Sequence, residues 1–208
     1  MGARATLLAF VDGDLPPALL GAVPTDPAEA EEFVRRVHPG FTVEADPYED
    51  STLAETYPPD GTTHVAILAG AEVLADKRLV WDCPSELPGH LLALGAGRRI
   101  LMLGMHSVID WLCFAVWEDG VLVRSLGLLP DEGIQENIGE PYPFERPFWA
   151  GEHPVEPDEE EGEYPLPFHP LELGDVVLRE LWGFEALDWT DVPMRGFRTT
   201  EPEAGEPA

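Results

Sequence analysis

The residues from Arg98 to Leu129, RRILMLGMHSVIDWLCFAVWEDGVLVRSLGLL, decide the fold of this chain. Three apolar runs follow one another, and Asp119-Gly120 joins the last two. Asp-Gly between two β-rich runs is among the strongest local signals for a hairpin, because both turn positions need a positive φ. The stretch therefore predicts three consecutive antiparallel strands.

The middle run, from Trp111 to Glu118, is apolar on both of its alternating faces. A strand with two apolar faces must be covered on both sides, so we expect it inside the sheet, beneath helices. The two faces are Trp111, Cys113, Ala115 and Trp117 on one side and Leu112, Phe114 and Val116 on the other. The segment contains no phosphate loop, nucleophile elbow or clustered metal ligands, so it predicts an architecture and no chemistry.

Periodicity and turn signals extend this reading along the chain. They predict strands at 6–11, 41–45, 64–69 and 72–76, a further strand at 79–81, and helices at 15–23, 27–38, 85–94 and 171–184. The fold class is α+β: a mainly antiparallel sheet of about five to seven strands with helices packed on its faces.

After Leu129 the composition changes. Residues 130–170 hold many prolines and several aromatic side chains, which predicts an ordered C-terminal wrap, because so many aromatic rings need a surface to pack on. We expect a single globular domain over residues 1–198, interrupted by an acidic loop at 156–163 and followed by a disordered tail at 199–208.

The charge of the chain is unusual for its length. Forty acidic and twelve basic residues give a formal net charge of −28. Nucleic acids and anionic membranes are bound through clustered Lys and Arg, so both are disfavoured as partners. A partner protein with a basic surface fits this charge, and so does a general bias toward acidic surfaces that has no binding role. The oligomeric state is left open.

Two cysteines, Cys83 and Cys113, fit a reducing compartment and do not imply a disulfide. The N-terminus lacks the features of a signal peptide, and no segment approaches the ~20 apolar residues of a membrane span. The expected protein is soluble and cytoplasmic.

His106 follows a predicted core strand, with Ser107 and Asp110 close behind. Histidine serves as a base or a metal ligand, so His106 and Asp110 are candidate catalytic residues. A catalytic set is normally assembled from distant segments, however, and the same residues also fit a simple turn that satisfies its own backbone amides.

The wrap contributes Glu152, His153 and His169. Together with His106 they form a candidate metal site, since catalytic zinc and similar ions take three protein ligands and a water. Glu152 and His153 are also candidate catalytic residues. The spacing matches no short metal motif, and each His-Pro pair equally fits a rigid turn.

Two weaker candidates remain. Asp12 and Asp14 end the first strand, where α/β enzymes often hold Mg²⁺, although Asp-Gly-Asp also fits a turn that caps the next helix. Trp149, close to Glu152, is a candidate platform for stacking a ligand, with His169 as a second ligand-binding candidate.

Several segments resemble a family of short, acidic, uncharacterised proteins from actinobacteria. They are LLAFVDGD (7–14), TYPPDGT (56–62), SELPGHLL (85–92), MHSVIDWLCFAVWEDGVLVRSL (105–126), IGEPYPFERPFWAGEHPV (138–155) and YPLPFHPLELG (164–174). The resemblance covers nearly the whole chain. It implies a bacterial cytoplasmic protein of a family with no assigned activity, and it supplies no catalytic residues.

Two functions are compatible with these features. The first is a non-enzymatic interaction or regulatory module whose acidic surface meets a basic partner. The alternative is a small metal- or acid/base-dependent hydrolase with a pocket near His106, His153 and His169. A divalent metal is the cofactor that the alternative would require.

Overall fold

The computed structural model describes residues 4–155, 164–183 and 189–202. Within them it contains a ten-stranded antiparallel sheet and five α-helices. The strands are β1 (Arg4–Val11), β2 (Thr42–Ala45), β3 (Ser51–Thr52), β4 (Thr62–Leu68), β5 (Ala71–Ala75), β6 (Arg99–His106), β7 (Trp111–Glu118), β8 (Val121–Leu129), β9 (Gly133–Ile138) and β10 (Pro193–Thr200). The helices are α1 (Leu15–Leu19), α2 (Pro27–Val37), α3 (Gly89–Leu94), α4 (Arg146–Trp149) and α5 (Pro170–Trp182), with 3₁₀ turns at Lys77–Leu79, Pro84–Glu86 and Trp189–Asp191.

The strands lie in the order β2-β10-β4-β5-β1-β6-β7-β8-β9, and β3 pairs with the start of β10. The predicted antiparallel α+β class is confirmed, and so is the meander β6-β7-β8. Asp119 and Gly120 both have positive φ, as the hairpin signal requires. The predicted number of five to seven strands is wrong.

The extra strands have weak sequence signals. β9 (GIQENI) and β10 (PMRGFRTT) are polar or interrupted by Pro and Gly, and β3 has two residues. β10 lies between β2 and β4, so its pairing comes from segments far away in the chain. The strand expected at 79–81 is wrong: Leu79 ends the 3₁₀ turn at Lys77–Leu79, and residues 80 and 81 have no regular secondary structure.

Both faces of the sheet are covered, which explains why β7 is apolar on both sides. One face packs against α1, α5 and the wrap, where Phe148, Phe168 and Trp182 are fully or almost fully buried. The other face packs against α2 and α3. Leu112, Phe114 and Val116 join the first core, while Ala115 and Trp117 join the second.

The helix boundaries follow local capping. Asp26 caps α2 by accepting hydrogen bonds from the backbone amides of Ala28 and Glu29, and α2 ends near the predicted position. The helix expected at 85–94 is shortened to α3, because Pro88 interrupts it.

The C-terminal boundary also differs from the expectation. β10 continues to Thr200, and Thr199 is buried beside Val43, so the globular part extends past residue 198. The predicted acidic loop at 156–163 and the tail from residue 203 lie outside the described residues.

Candidate functional site

Three strand ends place candidate side chains in a row on one face of the sheet. His106 is the last residue of β6, and it lies opposite Arg4 of β1 and Trp111 of β7 in the antiparallel register. Trp111 packs directly over Gly104, where a Cβ atom would overlap the indole ring. The glycine in β6 therefore makes room for Trp111 next to His106.

A cleft of about 360 Å³ opens above this row. Its lining combines the strand ends with the segment that follows β5 and with the loop before β4. The lining residues are Thr6, Tyr57, Lys77, Val80, Trp81, Asp82, His106, Ile109 and Trp111. The predicted candidate His106 thus lies in a concave site, whereas His153 and His169 are not among the lining residues.

At one end of the cleft, here called the basic end, two cations and His106 surround the ring of Tyr57. The Nζ of Lys77 lies 4.4 Å from the centre of the Tyr57 ring, the guanidinium of Arg4 lies 5.5 Å from it, and the His106 ring meets it edge-on at 5.6 Å. Lys77 also pairs with Asp60 at 2.6 Å, and that carboxylate is 91% exposed. Cations over an aromatic face are held by the negative potential of the ring.

The environment of His106 favours the uncharged form of its ring. Burial lowers the pKa of His106, and Arg4 and Lys77 lower it further, because a second positive charge beside them is unfavourable. The backbone N–H of Val108 donates to Nδ1 of His106 at 3.3 Å. The neutral ring therefore carries its proton on Nε2 and presents a hydrogen-bond donor.

A buried polar network holds the segment that carries Lys77. Asp76 lies 3.2 Å from Nε2 of His38 and 2.6 Å from Nη2 of Arg78, and Thr63 donates to it at 2.5 Å. Burial alone would raise the pKa of Asp76, but hydrogen bonds from His38, Arg78 and Thr63 outweigh it and keep this pKa well below its usual range. The sequence analysis did not predict this network. Its local signal is Asp76, which lies two residues before Arg78 and caps the 3₁₀ turn by accepting the backbone N–H of Arg78.

A second surface cavity, here called the α2 groove, has a volume of about 390 Å³. Its residues are Ala28, Glu29, Glu32, Phe33, Arg36, Ile67 and Glu72. Ala28, Phe33 and Ile67 form an apolar floor, three glutamates supply the negative charge, and the Arg36 guanidinium lies 5.6 Å from the centre of the Phe33 ring. The sequence analysis assigned these residues only to a helix and to two strands, and predicted no site there.

Asp12 and Asp14 each face an arginine. Asp12 pairs with Nε of Arg98 at 2.7 Å, and Asp14 pairs with Nη1 of Arg99 at 2.8 Å. Both carboxylates line a cavity of about 320 Å³ together with these two arginines. Each carboxylate thus has an arginine partner within the chain, as in a structural turn, and the two arginines pair in addition with Glu72 and Glu118.

Asp110 and His169 are brought together, and neither is among the residues that line the cleft beside His106. Nε2 of His169 lies 3.5 Å from the Asp110 carboxylate, and its Nδ1 accepts the backbone N–H of Leu171 as the N-cap of α5. Tyr164 stacks on the His169 ring at 5.7 Å. Burial, followed by the Asp110 charge, raises the pKa of Tyr164 to about 12.

The remaining candidates in the wrap lie apart from the cleft lining. His153 is exposed and stacks on Phe148 at 4.1 Å, and Glu152 is exposed beside it. Trp149 is half-buried; its indole N–H donates to Glu145 at 3.4 Å, and its ring meets Phe168 edge-on at 5.0 Å. These contacts join parts of the wrap to one another.

In the part of the chain that the structure describes, no group of three or more His, Cys, Asp or Glu side chains is arranged to hold a metal ion. Cys83 and Cys113 are free thiols, and burial raises the pKa of both. No described helix has the length and apolar character that crossing a membrane requires.

Comparison with known proteins places the chain in a family without assigning it an activity. Searches of curated proteins and of solved structures found no match. A family model described as a family of unknown function (DUF6928) matches residues 5–197, which include β1, the meander, the wrap and most of β10. The chain therefore belongs to the DUF6928 family of unknown function.

Proposed function

We propose that this protein is a non-enzymatic interaction module that docks a basic segment of a partner protein in the α2 groove. The observation that carries the proposal is the combination of an apolar floor with an acidic rim in one cavity. A lysine or arginine side chain has the complementary form, since its hydrocarbon stem covers apolar surface while its charged head remains near carboxylates and water.

The groove already holds one such contact within the chain. Arg36 places its guanidinium over the ring of Phe33, and Glu29 and Glu32 are exposed on the same helix. Glu72 pairs with Arg98 at 2.5 Å, so Glu29 and Glu32 are the carboxylates that a partner would meet. A partner's basic side chain would extend the same cation–π and ionic contacts.

The charge distribution of the molecule supports a basic partner. Nine of its twelve Lys and Arg side chains lie within ion-pair distance of a carboxylate in the described residues, which leaves a large excess of unpaired acidic groups. The nine are Arg35, Lys77, Arg78, Arg98, Arg99, Arg124, Arg179, Arg195 and Arg198. A net charge of −28 also accelerates the encounter with a basic partner and disfavours an acidic one.

An acid/base hydrolase at His106 is a weaker candidate. The His106 ring is oriented by the backbone amide of Val108, and its pKa is lowered by burial and then by Arg4 and Lys77. A general base is usually oriented and made more basic by a carboxylate, which is the opposite arrangement.

The test is a peptide-binding measurement with matched charge variants. A fluorescently labelled peptide of alternating Lys and Leu is titrated by anisotropy against the protein and two double variants. Glu29→Gln/Glu32→Gln removes two charges from the groove, whereas Glu132→Gln/Glu140→Gln removes two exposed charges near β9, at the opposite edge of the sheet.

We expect the groove variant to bind about tenfold more weakly and the β9 variant to stay within about twofold, with affinity falling as salt rises. Equal losses of peptide affinity in the two double variants would show that the peptide responds only to the overall negative charge of the protein. Undiminished binding by the groove variant, or no binding by the natural protein, would reject the groove.

A further inference from the structure

The cleft beside His106 shares no residue with the α2 groove, and its chemistry is different. Its volume of about 360 Å³ falls within the range of small-molecule sites, and most of its lining is aromatic or apolar. Trp81 and Trp111 are half-buried, and Ile109 is 52% exposed at its rim. Such walls suit a flat, apolar molecule, because aromatic rings gain both buried area and stacking geometry.

The basic end of the cleft is unusual in so acidic a chain. Arg4 and Lys77 both lie against Tyr57, and Arg4 has no ion-pair partner among the described residues. The partner of Lys77, Asp60, is almost fully exposed, so water and salt screen that pair strongly. Positive charge is therefore available to a ligand at this end.

The hydrogen-bonding groups of the cleft are also mainly donors. His106 presents Nε2–H, and Lys77 adds its ammonium group. Asp82 is the one carboxylate in the lining, and it is exposed to solvent.

We propose that the cleft binds a small planar aromatic anion. Its carboxylate or similar acidic group lies at the Lys77 and His106 end, and its ring packs against Trp81 and Trp111. This assignment concerns a small molecule and is independent of the docking of a partner in the α2 groove.

The test compares three probes that share one ring system and differ in charge. These are 2-naphthoate, its neutral analogue 2-naphthamide and the cation 2-naphthylmethylammonium, each titrated by calorimetry at low salt. We expect 2-naphthoate to bind with a dissociation constant below about 1 mM, the amide to bind about tenfold more weakly, and the ammonium probe to bind least. Equal or tighter binding of the amide or the ammonium probe, or no binding of 2-naphthoate, would overturn the proposal.

Two variants locate the binding site. Lys77→Gln removes the cation in the cleft, and Arg36→Gln removes one in the α2 groove, so both change the net charge equally. We expect Lys77→Gln to weaken 2-naphthoate binding about tenfold and to leave 2-naphthamide binding nearly unchanged, while Arg36→Gln alters neither. Arg4→Gln, at an exposed position, repeats the test without disturbing the fold. Equal loss in Lys77→Gln and Arg36→Gln would place the probe elsewhere.

Discussion

At the scale of single residues, His64 of β4 combines burial with a missing hydrogen bond. It is 2% exposed, and neither ring nitrogen makes a hydrogen bond of ordinary geometry within the described residues. Burial lowers the pKa of His64 and outweighs the opposing influence of Glu55, Glu49 and Asp50. The folded state therefore holds a neutral histidine that the unfolded chain would protonate first.

His64→Leu should stabilise the protein and flatten its response to acid. Because the pKa is lower in the folded state, stability falls as the pH drops below the ordinary value of 6.5, and the leucine variant lacks this loss. Urea unfolding at pH 7.5 and 5.5 measures both effects. We expect a gain of about 1–3 kcal/mol at pH 7.5, from removal of unpaired polar atoms, and a larger difference at pH 5.5. A difference that shrinks in acid would contradict this account.

At the scale of elements, one buried ion pair attaches the wrap to the sheet. Arg124 of β8 and Glu145, just before α4, are both fully buried, with 2.6 Å between Nη2 and Oε2. Arg124 also donates to Asn137 and to the carbonyl oxygen of Ile138, while Glu145 accepts the backbone N–H of Tyr142. The network joins β8, β9 and α4, and no charge in it has access to water.

Glu145→Gln should cost roughly 3–5 kcal/mol of unfolding free energy, because it leaves the Arg124 charge buried without its counter-charge. The double variant Arg124→Met/Glu145→Met should lose much less unfolding free energy than the sum of the losses of Arg124→Met and Glu145→Met, since it removes both charges. Arg99→Gln breaks the partly exposed pairs with Asp14 and Glu118 and serves as a control, with an expected loss within about 1 kcal/mol. Additive losses in the double variant would refute the coupling.

At the scale of the whole molecule, the dominant property is a net charge of −28 on 208 residues. Most of the basic side chains are already paired, so the remaining carboxylates repel one another across the surface. This self-repulsion opposes the compact state and weakens as ions screen it, over a Debye length of about 10 Å at 0.1 M salt.

The melting temperature should therefore rise between about 20 mM and 500 mM sodium chloride, followed by circular dichroism. Potassium chloride and choline chloride should give the same rise, because the effect is screening and needs no specific cation site. A flat or falling melting temperature would mean that exposed ion pairs, which salt weakens, outweigh the repulsion.

Local sequence signals determined much of the secondary structure of this protein. Alternating apolar residues and the Asp119-Gly120 turn determined the meander, and the Asp26 cap determined the start of α2, because each depends on neighbours within a few positions. Composition determined the acidic character, and His106 was recognisable because it follows an apolar strand.

Only the tertiary structure decided the rest. β10 has a weak pattern and becomes a strand by pairing with β2 and β4, about 130 or more residues away in the chain. Arg4, Tyr57 and Lys77 meet His106 only because β1, β5 and β6 are neighbours in the sheet. Long-range pairing depends on the packing of the whole core, which no local window of residues contains.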